Sequence, residues 1–187
     1  QAVLEKISRF KDKGFGLEHI INDVKNNITA FIYKEYQTKL LELNCVDFGD
    51  ILLYVLNMLK NPENKTILEE YQERFKYIMV DEYQDTNEAQ NELVFDLVKA
   101  SKSQNIFVVG DDDQIIYRFQ GAKLDTIENY LKEFPDTQII CLTENMRSTQ
   151  SILDAARAII AQDPLSLVNK HQFKDKDGKD IDKNLIA

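Results

Sequence analysis

The sequence predicts an α/β fold with a parallel sheet, preceded by a helical segment. Three observations predict it. Three short apolar runs, 77–80, 106–109 and 138–142, recur about thirty residues apart. Helical patterns alternate with them. Each run ends in polar residues: Asp81-Glu82, Gly110-Asp-Asp-Asp-Gln114 and Thr143-Glu-Asn-Met-Arg-Ser148. In open α/β sheets, ligands bind outside the C-terminal ends of the strands.

Residues 1–43 read as helical. Val3, Leu4, Ile7 and Phe10 form one apolar stripe, and Gly14-Phe-Gly16 interrupts it. Leu17, Ile20, Ile21, Val24 and Ile28 form a second, continued by Phe31, Ile32, Tyr36, Leu40 and Leu43. His19 lies beside this stripe and reads as structural. Val46-Asp-Phe-Gly-Asp-Ile-Leu-Leu53 opens another helix, with Asp47 at the N-cap and Asp50 in the first turn. Asn61-Pro62 ends it, because proline cannot continue the backbone hydrogen bonding. A short helix over 66–74 leads into the first strand.

After Asp81-Glu82, Thr86 or Asn87 caps a helix that presents Ala89, Leu93, Val94, Leu97 and Val98. Asp125 and Glu128 suggest the cap of a helix over 127–134, and Pro135 lies just past its end. Ser148 is the predicted cap of a last helix, with Ile152, Leu153, Ala156, Ile159 and Ile160 on one face. The lysine- and aspartate-rich stretch 170–183 reads as a surface loop or hairpin.

Composition bounds the function. A 43% hydrophobic and 29% charged chain is ordinary for a globular protein. No apolar run approaches the ~20 residues of a membrane span, and no signal pattern opens the chain. Cys45 and Cys141 have no metal-ligand spacing and read as free thiols of a reducing compartment, the cytoplasm. The net charge of −9 argues against nucleic-acid binding by charge alone. From Asp81 to Asp113 there are nine acidic residues against two lysines, a local excess that suits a metal site or a solvated helix face. Base stacking on aromatics can still bind a single strand.

Each strand end carries candidate chemistry. Asp81 can hold Mg²⁺ through its waters while the metal bridges phosphates, and Glu82 can orient or deprotonate an attacking water. By itself an apolar strand ending in Asp-Glu is a common pattern; three such ends are a stronger signal. Gln114 carries an amide that can donate to a phosphate oxygen and accept from water. Tyr117 and Phe119, two apart in extended chain, point the same way. They could stack bases at roughly 1–3 kcal/mol each, although spacing alone favours core aromatics. Arg147 could set a guanidinium on developing phosphate charge; the alternative is a salt bridge at a helix N-terminus, where the macrodipole disfavours a cation.

Taken together, the motifs resemble those of UvrD/Rep/PcrA-type superfamily 1A DNA helicases. Val80-Asp-Glu-Tyr-Gln-Asp-Thr-Asn87 resembles their Walker B segment. Val109-Gly-Asp-Asp-Asp-Gln-Ile-Ile-Tyr-Arg-Phe-Gln-Gly-Ala122 resembles their third motif, and Leu142-Thr-Glu-Asn-Met-Arg-Ser148 their fourth. Asp47-Phe-Gly-Asp-Ile-Leu52 resembles the Asp-Phe-Asp-Asp-Leu-Leu stretch that returns from the helical insert. Order and spacing match over roughly residues 30 to 180. Ile115, Met146 and Gln120 depart from the usual Ser, Tyr and Arg, and Phe119 replaces a frequent Trp.

The resemblance implies a partial RecA-like P-loop NTPase fold. Residues 1–60 would be the tail of the helical insert, 61–145 the second half of the first motor domain, and 146–187 the start of the second. It implies ATP and Mg²⁺ as cofactors and single-stranded and duplex DNA as partners, with repair or replication proteins. Asp81 would bind the metal, and Glu82 would activate water. Gln114 would contact the γ-phosphate, and Arg147 would act as an arginine finger. Asp81, Glu82, Gln114 and Arg147 would together form the nucleotide site, while Tyr117 and Phe119 would stack DNA bases.

No G-x-x-x-x-G-K-[ST] loop occurs in the sequence, so the backbone cradle for the β- and γ-phosphates is missing. The 187 residues are therefore expected to be inactive as an ATPase by themselves, and to expose apolar surface where further strands belong. The alternative is a noncatalytic module that binds DNA or protein. A helicase joined to a nuclease would look the same within this chain.

Overall fold

A computed structural model describes residues 2–21, 27–99, 105–114, 126–162, 174–181 and 183–187. The chain divides into two compact units, one of Gln1–Val109 with Tyr117–Lys123, the other of Gly110–Ile116 with Leu124–Ala187.

The first unit contains helices α1 (Ala2–Asp12), α2 (Asn27–Glu42), α3 (Phe48–Lys60), α4 (Lys65–Arg74) and α5 (Glu88–Lys99), with strands β1 (Ile78–Val80) and β2 (Ile106–Val108). Helix α3 is its hub and touches α1, α4 and α5. Its inward face is Leu53, Leu56 and Leu59, each at most 4% exposed. Its ends follow the sequence. The Asp47 carboxylate accepts from the Asp50 N–H at 2.8 Å, and the Asp50 carboxylate accepts from the Asp47 N–H at 3.2 Å. This reciprocal box satisfies two of the helix's unpaired N-terminal donors. Proline at position 62 ends the helix after Lys60. A second cluster joins Ile7, Ile20, Ala30 and Tyr33, with Val3, Phe10, Leu17, Ile32 and Tyr36 packed around it. Truncating Leu56 to alanine should cost about 2–5 kcal/mol, because a well-packed site collapses only partly around the cavity. Urea denaturation of the chain followed by circular dichroism measures it.

Strands β1 and β2 are parallel and in register as Ile78↔Ile106, Met79↔Phe107 and Val80↔Val108. The sequence predicts fully buried strands, but only one face is covered. Ile78, Val80, Ile106 and Val108 are half-buried, whereas Met79 is 77% and Phe107 57% exposed. Tyr77 and Val109 are also exposed. Apolar residues at every position suit a sheet covered on both faces. Met79 and Phe107 thus leave one face of the two-stranded sheet apolar and exposed.

The second unit contains α6 (Thr126–Glu133) and α7 (Gln150–Ile160). The strand predicted at 138–142 is not one. The segment and the residues just after it bond to the C-terminal stretch instead: the Lys176 N–H donates to Ile139 O, the Ile186 N–H to Thr143 O, and the Asn145 N–H to Ile186 O. A single parallel bridge, Glu144↔Ile186, forms there, and one bridge makes no ladder. The predicted hairpin has its counterpart in the antiparallel bridge Lys174↔Asp180, closed by a turn with Gly178 at φ +76°. The last helix starts one residue later than predicted, with Thr149 rather than Ser148 at its N-cap. None of its residues is buried, and Ile152 and Ile159 stand exposed. Asp125, part of the cap predicted for α6, lies outside the described residues. Both cysteines are free thiols. Among the described residues, no helix is long and apolar enough to cross a membrane.

Candidate nucleotide-hydrolysis site

Asp81 and Glu82 follow β1 directly, and the ladder runs past the strand to hold them. The Val109 N–H donates to Val80 O, and the Tyr83 N–H donates to Val109 O, both at 2.9 Å. Between these bonds the chain turns sharply. Glu82 adopts φ +49° and ψ +43°, the left-handed region that a side chain makes unfavourable. Surrounding hydrogen bonds offset the cost. The Glu82 N–H donates to Asp81 Oδ1 at 2.9 Å, and the Asp85 N–H to Glu82 O at 2.9 Å.

Glu82 Oε2 accepts from Gln84 Nε2 at 2.7 Å. Gln84 is 1% exposed, so a buried amide orients an exposed carboxylate. Glu82 Oε1 and Asp81 Oδ2 have no hydrogen bond among the described residues. One carboxylate is thus aimed with an oxygen open to accept a proton, beside another open to a cation. Sequence reasoning places Gln84 within a motif but gives it no role. Its signal is an amide two residues after the acid, a spacing that a tight turn brings together.

The turn is tied onward to α5. The Asn87 Oδ1 accepts from the Gln90 N–H at 2.9 Å, and the Asn87 N–H donates to Gln90 Oε1 at 3.0 Å. Of the two predicted caps, Asn87 is the one that forms this box. The Thr86 hydroxyl lies 2.7 Å from Tyr83 O and 2.9 Å from Asn91 Oδ1. Asn87 Nδ2 also donates to Asp12 Oδ1 at 3.1 Å, which ties the end of α1 to the start of α5. Burial pushes the Asp12 carboxyl up, and the Asn87 hydrogen bond offsets part of that.

In the second unit, Gln114 closes a short turn. Its N–H donates to Asp111 O at 3.0 Å, and its Nε2 to Asp111 Oδ2 at 2.9 Å. The carboxylates of Asp111, Asp112 and Asp113 gather within 4.8 Å of one another. The chain supplies its own cation to them. Lys183 Nζ lies 2.7 Å from an oxygen of each. Burial alone would raise the Asp111 carboxyl. Lys183, the Gln114 amide and the Asp113 N–H outweigh it and hold Asp111 below the usual carboxylate range. Burial would likewise lower the Lys183 ammonium, and the three aspartates outweigh that and raise it.

Arg147 is exposed, and its guanidinium makes no ion pair among the described residues. Its backbone is fixed by Asn145, whose Oδ1 accepts from the N–H groups of Arg147 and Ser148 at 3.0 and 2.8 Å. Tyr117 and Phe119, the predicted stacking pair, lie outside the described residues, as do Ile115 and Gln120. Asp81 with Glu82 belongs to the first unit, and Gln114 and Arg147 to the second.

Similarity to known proteins agrees with the motifs. DNA helicase II of Rickettsia typhi is 45% identical over 159 residues, which are 82% of this chain and 23% of the relative. The ATP-dependent DNA helicase PcrA of Bacillus subtilis is 43% identical over 136 residues, 72% of this chain and 18% of the relative. That of Leuconostoc citreum is 43% identical over 131 residues, 70% and 17%. The chain thus spans under a quarter of the length of these relatives. The family model of the UvrD/REP helicase N-terminal domain matches residues 1–135, and the chain belongs to that family.

Proposed function

We propose that this chain is part of an ATP-driven DNA helicase that couples hydrolysis to movement on single-stranded DNA and to duplex unwinding, in repair or replication, in the cytoplasm. In this reading the fold is a partial RecA-like motor. Residues 1–60 are the tail of a helical insert, 61–145 the second half of the first motor domain, and 146–187 the start of the second. The observation that carries the proposal is the strained turn at Glu82, where a buried amide holds one carboxylate oxygen and leaves the other open. A left-handed glutamate that packing must hold in place is more useful to chemistry than to folding.

The residues fit the expected cofactors in part. Asp81 is an exposed carboxylate with one unengaged oxygen, the donor type that Mg²⁺ takes alongside substrate phosphates. Bound there, the ion would neutralise charge on the phosphates of ATP. The phosphate loop itself must come from outside these residues. Glu82 would accept the proton of the attacking water at Oε1, with Gln84 fixing the carboxylate plane. Gln114 would hydrogen-bond the γ-phosphate through its amide, and the exposed Arg147 would lay its guanidinium against the charge that develops there. Tyr117 and Phe119 would stack bases of the single strand.

The test compares ATP hydrolysis, with and without single-stranded DNA, by the full polypeptide that contains this chain and by the 187 residues alone. The full polypeptide should show DNA-stimulated hydrolysis and unwind a tailed duplex, and the 187 residues should show neither. The absence of a phosphate loop favours one other reading, a noncatalytic module binding DNA or protein. A full polypeptide that binds DNA without hydrolysing ATP would establish it. Hydrolysis by the 187 residues alone would sink the assignment of a divided motor.

A further inference from the structure

Lys183 has no role in the reading above, yet it is among the most heavily engaged cations of the described residues. It sits 71 residues after Asp112, and its side chain is 23% exposed. An ammonium carries three N–H donors, and here each has a carboxylate oxygen at 2.7 Å, on three consecutive residues. Without that cation, three carboxylates within 4.8 Å would repel one another and open the turn.

The contact reaches Gln114 through a single residue. Asp111 Oδ1 takes Lys183 and, at 3.2 Å, the Asp113 N–H. Asp111 Oδ2 takes the Gln114 amide. Ammonium, carboxylate and amide form one connected chain, so the position of Lys183 sets the plane of the Asp111 carboxylate. That plane in turn sets the direction of the Gln114 side chain. Charge-assisted hydrogen bonds of this kind are the strong ones.

We infer that Lys183 is a positioning residue: it clamps the Asp111–Gln114 turn and holds the Gln114 side-chain amide in one orientation. The catalytic consequence rests on the reading of Gln114 as the γ-phosphate contact. The clamp itself does not.

Three chains decide it: the unchanged chain, Lys183→Met and Lys183→Arg. Amide hydrogen exchange read by mass spectrometry should rise about tenfold across 110–114 in Lys183→Met, with α5 and α7 unchanged. Lys183→Arg should stay within about threefold of the unchanged chain, since a guanidinium can still bridge carboxylates. Unchanged exchange in Lys183→Met would overturn the clamp. Should that variant lose protection throughout, the unchanged chain decides alone. Its Lys183 ammonium should give a slowly exchanging nitrogen-detected resonance, and a fast-exchanging one would overturn the proposal.

The catalytic arm uses the full polypeptide that contains this chain. Lys183→Met should lower kcat for DNA-stimulated hydrolysis about tenfold, with KM for ATP changed less than about twofold. An unchanged kcat beside faster exchange would overturn the catalytic consequence, with the clamp still standing on the exchange. A full polypeptide inactive before any substitution would instead sink the helicase reading, with the clamp still judged by exchange.

Discussion

Replacing Lys11 with methionine should destabilise the unit built on residues 1–109 by about 3–5 kcal/mol, the usual cost of stranding a buried charge. Lys11 is 1% exposed. Its ammonium lies 2.6 Å from Asp47 Oδ2 and 2.7 Å from Asp50 Oδ1, and donates to Gln37 Oε1 at 2.9 Å. The rings of Tyr33 and Tyr36 lie beneath it, with centroids 5.3 and 5.1 Å away. Asp50 is itself 1% exposed, so methionine would leave a buried carboxylate with no counter-charge. The same two aspartates form the N-terminal box of α3, and the loss therefore reaches the hub helix. Gly49 shows how tightly the lysine is seated. A Cβ there would come within 2.7 Å of the Lys11 Cδ and 2.9 Å of its Cβ.

Urea denaturation measures the loss. Adding Asp50→Asn to Lys11→Met should recover about 1–2 kcal/mol, because the amide keeps the cap acceptor without the charge. A loss under about 1 kcal/mol for the single variant would mean that the pair is far better solvated than its burial indicates. The pH dependence has a definite sign. Burial pushes the Asp47 carboxyl up, but Lys11, the Asp50 N–H and the Tyr36 hydroxyl more than offset it, and Asp47 lies below its ordinary 3.8. A lowered carboxyl stabilises the fold above its unfolded value. The contribution is lost as pH falls below 3.8 and on through the folded value.

What can be read in the sequence is local. Asp47 three residues before Asp50, and Asn61-Pro62 after an apolar helix, are signals complete within a few residues, and α3 begins and ends there. The apolar runs before Asp81 and Gly110 are equally plain as β1 and β2. The run 138–142 carries the same signal and gives no strand, because pairing is a property of two segments. Its partner lies more than thirty residues away, at Lys176 and Ile186. Lys11 and Lys183 are illegible for the same reason. Lysines are usually solvated, and nothing near either residue announces carboxylates 36 and 71 residues distant. Gln84 is within reach of the sequence, but its bond to Glu82 depends on a left-handed turn that glutamate rarely adopts.

Glu82→Gln should reduce DNA-stimulated ATP hydrolysis by the full polypeptide about 10²–10⁴-fold, the range of a lost general base. The substitution is nearly isosteric. The carbonyl of the new side-chain amide can still accept from Gln84 Nε2, so the turn should persist and ATP affinity should stay within about threefold. The loss would then fall on kcat, which separates a missing proton acceptor from a disturbed site. Glu82→Gly makes the complementary case. Glycine adopts φ +49° without the steric cost that a side chain brings, roughly 1–2 kcal/mol. Offset by the greater freedom of an unfolded glycine, it should leave the chain as stable as before or up to about 1 kcal/mol more so. It should be as inactive as Glu82→Gln. A variant that gains or keeps stability while losing turnover would identify the strained backbone as serving the chemistry. If Glu82→Gln instead kept more than about a tenth of the activity, the proton would have to leave by another group, and the held carboxylate at the end of β1 would be structural.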